Sequence, residues 1–276
     1  MDVKLIALDL DGTALLDDHK TVSPRMAQAL REATNRGIMV VPVTGRPRAL
    51  LPEAILMPAR CRFAVLSNGA MVYDLQRSRA LRENTIPLDC ALSLIEALKP
   101  FGLLAEICAD GHIYAERRDL ERLDSWHLEQ FHIEYLRSAG IAIDSFKQYP
   151  ESGGGAIEKV NLPFIPSMVR KGVERALSER PGISSVQSGE NSVEVTQALA
   201  TKGEALRTLC DIIGIGIAHV MAIGDSGNDV SMLKAAGVSV AMGNACAIAK
   251  EAAALVTATN ECDGAALAIE RYALGA

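Results

Sequence analysis

Aromatic residues are scarce. Five Phe, five Tyr and one Trp make up 4% of the 276 residues, which excludes a sandwich built on aromatic clusters and leaves Val, Ile, Leu, Ala and Met to fill the interior. Runs of Lys and Arg are missing too, and the formal net charge is −6, so nucleic acid and anionic membrane surfaces are poor partners. No apolar stretch is long. The longest, Ile212 to Gly224, is interrupted by three glycines and His219 and falls short of the roughly 20 residues that span a bilayer. Asp2, Lys4, Asp9 and Asp11 near the start are unlike a secretory apolar region. The six cysteines, Cys61, Cys90, Cys108, Cys210, Cys246 and Cys262, include no two within four residues. That rules out a CxxC knuckle or redox pair, and several sit in apolar stretches, as buried free thiols of a reducing cytosol do. The expectation is a soluble cytoplasmic protein.

Apolar residues are abundant, at 49%, enough to bury a large core over one large domain or two ordinary ones. Val3 to Leu8 reads as a buried strand that runs into Asp9-Leu10-Asp11-Gly12-Thr13. A helix follows, with Ser23 as N-cap, Pro24 in the first turn, Met26, Ala27, Leu30 and Ala33 or Thr34 at helical spacing, and Gly37 as the stop. Ile38 to Val43 is a second apolar run ending at Thr44-Gly45-Arg46, and Phe63 to Leu66 a third ending at Ser67-Asn68-Gly69. The last third repeats the pattern. A helix from Lys202 to Ile213 carries Ala205, Leu206, Leu209, Ile212 and Ile213 on one stripe, and the strand His219 to Ile223 leads into Gly224-Asp225. A helix with Val230, Leu233 and Ala236 closes at Gly237, and the strands Val238 to Met242 and Leu255 to Thr257 follow.

This alternation predicts an α/β, Rossmann-like core: a parallel sheet with helices on both faces. Ligands gather at the carboxyl ends of such strands, where Asp9, Asp11, Thr44, Asn68 and Asp225 all fall. The middle third reads differently. Leu88 to Leu98 and Pro166 to Leu177 are amphipathic helices, and Glu106 to Tyr114, Glu158 to Leu162, Ser185 to Ser188 and Ser192 to Thr196 read as strands. Gly153-Gly154-Gly155 marks a flexible or tight connection. The expectation is an inserted α+β cap over residues 86–195, with the core formed by 1–85 and 196–276.

Asp9 and Asp11 lie two apart, on one face if the strand continues. Two carboxylates about 4 Å apart repel by roughly 4 kcal/mol at an effective dielectric of 20. A cation or a shared proton must offset this. Asp225 and Asp229 are candidates for the same site, and converging all-oxygen ligands suit magnesium. Thr44-Gly45-Arg46 precedes Pro47, and a hydroxyl with free N–H groups at a helix start can hold phosphate, although an N-cap explains Thr44 as well. Lys202 near the carboxylates could neutralise them, or be a solvated lysine. Asn228 and Asp229 fall in the first turn of a helix, where an acidic group also suits the dipole.

Together, DLDGT (Asp9 to Thr13), VTGR (Val43 to Arg46), the Lys202-Gly203 pair and GDSGND (Gly224 to Asp229) resemble the haloacid dehalogenase superfamily. In order and spacing they are similar to its Cof-type (subfamily IIB) phosphatases, with SNGA (Ser67 to Ala70) and AMGNA (Ala241 to Ala245) as further likenesses. The resemblance implies a Mg2+-dependent phosphatase of small phosphorylated metabolites such as sugar phosphates. Asp9 would be the nucleophile and Asp11 the acid and base. The metal would be held by the Asp9 carboxylate, the Asp11 backbone carbonyl and Asp225, with Asp229 close by or acting through water. Thr44, Gly45, Lys202 and Asn228 would bind phosphoryl oxygens, and Arg46 and Asn68 are possible substrate contacts. Glu106, His112, Glu158 and Lys159 could line the inner face of the cap. A phosphomutase shares the aspartyl-phosphate step, and a binding module could keep the fold without catalysis. A serine esterase at Ser226 fails for want of a histidine after His219. A zinc helix fails because His127 and His132 are five apart, and a dinucleotide site because no GxGxxG follows the first strand.

Overall fold

Leu5–Leu8 is buried at every residue. Successive side chains of a strand point to opposite faces, so both faces of this one are covered, and each buried leucine contributes roughly 1.5–3 kcal/mol. The computed structural model describes residues 2–152, 155–187 and 191–275. The chain divides into two units, one of Met1–Arg46, Leu51–Glu83 and Thr201–Ala276, the other of Pro47–Leu50 and Asn84–Ala200.

In the first unit Leu5–Leu8 is the fourth strand of a five-stranded parallel sheet. The order is Leu255–Val256, Val238–Ala241, Val220–Gly224, Leu5–Leu8, Met39–Pro42. Leu5 sits opposite both Val220 and Met39, which aligns the carboxyl ends and brings the turns after Leu8, Pro42 and Gly224 to one edge. The helix Pro24–Asn35 is capped as expected, with Ser23 Oγ accepting from the Met26 N–H at 3.0 Å. Lys202–Ile213 is a helix with Thr201 as its N-cap. The run Phe63–Leu66 departs from expectation. It touches the parallel sheet only through a Val43–Val65 bridge and otherwise pairs antiparallel with Met71–Asp74 in a three-stranded sheet completed by Arg79–Glu83. The reason is local: Ser67, Asn68 and Gly69 all take positive φ and reverse the chain at once.

The second unit is a six-stranded sheet ordered Ile183–Val186, Val193–Gln197, Ile157–Leu162, Glu106–Ala109, His112–Glu116, Gly140–Ile143. Its pairs are antiparallel except the last. The helices Leu88–Leu98 and Ser167–Ser178 pack on Ile107, Val160, Leu162 and Val195. A second apolar cluster holds Leu104, Cys108 and Ile113 against Ile133 and Leu136 of the helix Gln130–Ala139. The single strand expected over Glu106 to Tyr114 is a hairpin, because Asp110 and Gly111 both take positive φ, the geometry of a two-residue turn. Pro47–Leu50 belongs to this unit, where the Ala49 N–H donates to the Gly111 carbonyl at 2.8 Å. Gly153, Gly154 and Ser188 lie outside the described residues. Cys108 and Cys210 are buried, but Cys246 and Cys262 are exposed, against the expectation for buried thiols. Among the described residues no helix is long and apolar enough to cross a membrane.

Candidate functional site

The strand that carries Asp9 ends at Leu8, and residues Leu10–Ala14 form a wide turn closed by the Leu15 N–H on the Leu10 carbonyl at 2.9 Å. Gly12 makes the turn possible. Its φ is +71°, and a Cβ there would stand 2.7 Å from Asp225 Oδ2. The strand does not continue past Leu8, so the condition for Asp9 and Asp11 to lie on one face is not met, and the two carboxylates bond different partners.

Asp9 points at Lys202. Nζ of Lys202 donates to Asp9 Oδ1 and to Asp229 Oδ1, each at 2.6 Å, and all three residues are buried. One carboxylate oxygen from each of Asp9, Asp225 and Asp229 lies within 4.8 Å of the others. Thr13 donates its hydroxyl to Asp225 Oδ1 at 2.9 Å. Burial drives the Asp9 pKa well up, Asp229 and Asp225 add to that, and Lys202 only partly opposes it. Burial and Asp229 push Asp225 up to about 6. Burial alone would lower the Lys202 pKa, but Asp229 and Asp9 more than offset it, so the ammonium stays charged. Two buried carboxylates and the half-buried Asp225 thus face one ammonium, and their electrostatics call for one more cation. Oxygen donors of this kind fit a divalent ion. Asp229 is the least available for a direct bond. Its Oδ2 already accepts the Asp225 and Ser226 N–H groups at 2.9 Å, and its Oδ1 is held by Lys202.

Asp11 does not join this carboxylate group; the metal role that the resemblance implies for it is that of its backbone carbonyl. The carboxylate is gripped by Arg46, with Nε on Oδ2 at 2.8 Å and Nη2 on Oδ1 at 2.5 Å. His19 Nδ1 lies 2.8 Å from the same Oδ1. Burial by itself would raise the pKa, but Arg46 and His19 hold it well below the carboxylate range.

The remaining residues lie around these groups. Thr44 is buried, its N–H donates to the Val65 carbonyl, and its hydroxyl accepts the Arg46 N–H at 3.1 Å. The Gly45 turn abuts the Ser67–Gly69 turn, where the Asn68 N–H donates to the Thr44 carbonyl at 3.0 Å. Asn228 donates Nδ2 to Asn68 Oδ1 at 3.0 Å, and its Oδ1 accepts the Ser226 hydroxyl at 2.7 Å. Ser226 also caps the turn reciprocally with Asp229, a structural use for that serine. The Gly203 and Glu204 N–H groups at the start of the lysine helix are taken by Ser231 and Thr201, so the lysine and not the helix end offers positive charge. Three contributors carry no role in the sequence reading: Thr13, His19, and Asn244, whose Nδ2 donates to the Gly12 carbonyl at 2.7 Å. Thr13 and Asn244 sit inside recognised motifs. The only signal for His19 is its rarity, as one of five histidines.

The second unit houses the residues considered for the inner face of the cap. Glu106 bonds His132 and Asn161, Lys159 pairs with Glu194, and Glu158 accepts the Gly111 N–H. His112 begins a strand and is half-buried.

Known proteins match along the whole chain. The family model for haloacid dehalogenase-like hydrolases matches residues 6–269. Phosphatase YwpJ of Bacillus subtilis is 33% identical over 96% of this chain and 98% of its own. The pyridoxal phosphate phosphatase YbhA of Escherichia coli is 30% identical over 96% of this chain and 97% of its own. The solved structure of a haloacid dehalogenase-like hydrolase from B. subtilis superposes with a TM-score of 0.84 at 30% identity, covering 98% of this chain and all of that one. The chain belongs to the haloacid dehalogenase-like hydrolases, as a phosphatase of phosphoric monoesters.

Proposed function

We propose that the protein is a Mg2+-dependent phosphatase of small phosphorylated metabolites, working through an aspartyl-phosphate on Asp9. The observation that carries this reading is the charge imbalance of Asp9, Asp225 and Asp229, one carboxylate oxygen of each within 4.8 Å of the others, around the Lys202 ammonium. Asp9, the Asp11 carbonyl and Asp225 would hold the metal, with Asp229 behind them keeping the Asp225 loop and Lys202 in place. When bound, the ion neutralises charge on the transferring phosphoryl group.

The residues of the chain do the rest. A carboxylate oxygen of Asp9 attacks phosphorus in line while the bond to the leaving oxygen breaks, and Asp11, ionised at rest, passes to that oxygen the proton that the ester brings in as its monoanion. Asp11 then takes a proton from a water that attacks the same phosphorus. The bond to Asp9 breaks and inorganic phosphate leaves. Thr44, Gly45, Lys202 and Asn228 bind the phosphoryl oxygens, which suits a reaction governed by positioning and charge neutralisation. Arg46 and Asn68 are structural partners within the site, of Asp11 and Asn228 respectively. The second unit, with its own sheet and helices outside the phosphate-handling motifs, selects the leaving group.

Phosphate release from a panel of sugar phosphates, pyridoxal phosphate and flavin mononucleotide, with and without MgCl2, tests this. The expected result is Mg2+-dependent release that Asp9→Asn abolishes. Asp9→Asn retaining a tenth of the p-nitrophenyl phosphatase activity would remove Asp9 from the nucleophile role. Transfer to a second sugar hydroxyl instead of water would make the protein a mutase. Exchanging residues 84–200 for those of a relative with another preference should move the substrate profile, and an unmoved profile ends the selection role.

A further inference from the structure

His19 lies outside every phosphate-handling motif, yet its geometry ties it to the site. Its φ is +57°, a left-handed conformation uncommon for a residue bearing a side chain. The segment around it is built to enforce that conformation. The His19 N–H donates to the Leu16 carbonyl at 2.9 Å, and the Leu16 N–H to the Thr21 carbonyl at 3.0 Å. Asp18 Oδ1 accepts the Lys20 and Thr21 N–H groups at 2.9 and 2.8 Å, and its Oδ2 accepts the Thr21 hydroxyl at 2.7 Å. A sparsely populated conformation held by five hydrogen bonds needs a compensating use. That use is the imidazole contact with Asp11, Nδ1 to Oδ1 at 2.8 Å. Arg46 closes the ring. Beyond its two bonds to Asp11, its Nη2 donates to the His19 carbonyl at 2.8 Å. The Asp11 carboxylate is therefore fixed from two sides by groups that are also fixed to each other.

We infer that His19 and Arg46 are positioning residues for Asp11: they set the orientation from which it transfers protons to the leaving oxygen and from the attacking water. This rests on the proposed role of Asp11. A carboxylate on a free rotor samples several staggered orientations, and general acid–base catalysis needs one of them. The consequence is specific to leaving groups. An easily expelled group does not need the Asp11 proton, whereas a poor one does.

The test uses two substrates of nearly one shape, p-nitrophenyl phosphate and phenyl phosphate, the second with the poorer leaving group. His19→Gly removes the imidazole and suits a positive φ. His19→Asn keeps an N–H donor in a residue that tolerates that backbone. The full-length protein is assayed with Mg2+, alongside Asp9→Asn and melting curves. For His19→Gly the expected drop in kcat on phenyl phosphate is about 10- to 100-fold, with KM little changed and a drop of about threefold or less in the first-turnover release of p-nitrophenol. His19→Asn should recover most of the phenyl phosphate loss. Equal losses on both substrates, no loss on either, or a loss carried by KM would overturn the positioning role, and so would His19→Asn behaving like His19→Gly. Turnover surviving in Asp9→Asn would sink the aspartyl-phosphate reading and this inference with it. A dead Asp9→Asn beside equal losses in His19→Gly would sink this inference alone.

Discussion

Both units bury charge, and they do it in opposite ways. Among the described residues of the second unit each buried carboxylate has a donor: Glu106 has His132 at 2.6 Å and Asn161 at 2.9 Å, Glu194 has the Lys159 ammonium, Glu158 has the Gly111 N–H at 2.7 Å, Glu116 has Arg118 at 2.7 Å and Asp119 has Arg122 at 3.1 Å. Burial pulls the Glu106 pKa up, but His132 and Asn161 overcome it and the net shift is downward. In the first unit Asp9, Asp225 and Asp229 share one Lys202, and the net shifts of Asp9 and Asp225 are upward. Desolvating an ion costs several kcal/mol in either place. The second unit recovers that cost from its own partners. The first leaves part of it for a cation the chain does not supply. Burial alone does not tell a site from a structural cluster; the sign of the remaining imbalance does.

The largest effects should come from removing each unit's buried lysine. Lys202→Met takes away the ammonium bonded to Asp9, and kcat on p-nitrophenyl phosphate should fall by about 100- to 1,000-fold or more. Lys159→Met removes the buried ammonium bonded to Glu194 instead and should cost about 3–5 kcal/mol in urea unfolding, while kcat per folded molecule stays within about threefold of wild type. If Lys159→Met lost as much kcat as Lys202→Met, the distinction between a catalytic and a self-satisfied cluster would collapse.

The next effect turns on sign. Asp225 is one of the uncompensated carboxylates, so Asp225→Asn should stabilise the metal-free protein by about 1–2 kcal/mol while abolishing Mg2+-dependent turnover. Its pKa is raised from 3.8 to about 6, so its contribution to metal-free stability is full below 3.8 and is lost as pH rises through about 6. Protons compete with the ion over the same range. The gain in melting temperature from MgCl2 should be clear at pH 7.5, small at pH 5, and missing in Asp225→Asn at both. A metal-free Asp225→Asn protein less stable than wild type would show that the first unit is as balanced as the second.

The sequence carried the first unit further than the second, for physical reasons. Runs such as Leu5–Leu8 and Val220–Gly224, buried on both faces, announce a parallel sheet, and its strand ends locate Asp9, Thr44 and Asp225 together. The helix Lys202–Ile213 was legible in its apolar stripe. What escaped depends on backbone conformation at single residues. The hairpin at Asp110-Gly111, the reversal at Ser67–Gly69 and the left-handed His19 are all positive-φ events; Asp110-Gly111 and Asn68-Gly69 are turn signals that the strand reading passed over, whereas His19 has no glycine to announce it. The divergence of Asp9 and Asp11 escaped likewise, because an alternation rule assumes that the strand goes on past Leu8. In the second unit Glu106 and Lys159 read as candidates for the inner face of the cap. Their burial follows from partners on other strands and on the helix Gln130–Ala139, which no local pattern links.

The smallest effect separates the two units by pH alone. His132 is raised above its ordinary 6.5: burial lowers it, and the Glu106 carboxylate more than offsets that. The stability it supplies is therefore full below 6.5 and is lost as pH rises through the raised value. Metal-free Asp225 has the same direction at a lower pH, so the two overlap until Mg2+ removes the first unit's share. With saturating MgCl2, wild type should lose about 1 kcal/mol more than His132→Gln between pH 6 and pH 8.5 in urea unfolding. Parallel curves for the two proteins would mean that His132 is neutral beside Glu106, and the second unit would then hold an unbalanced carboxylate of its own.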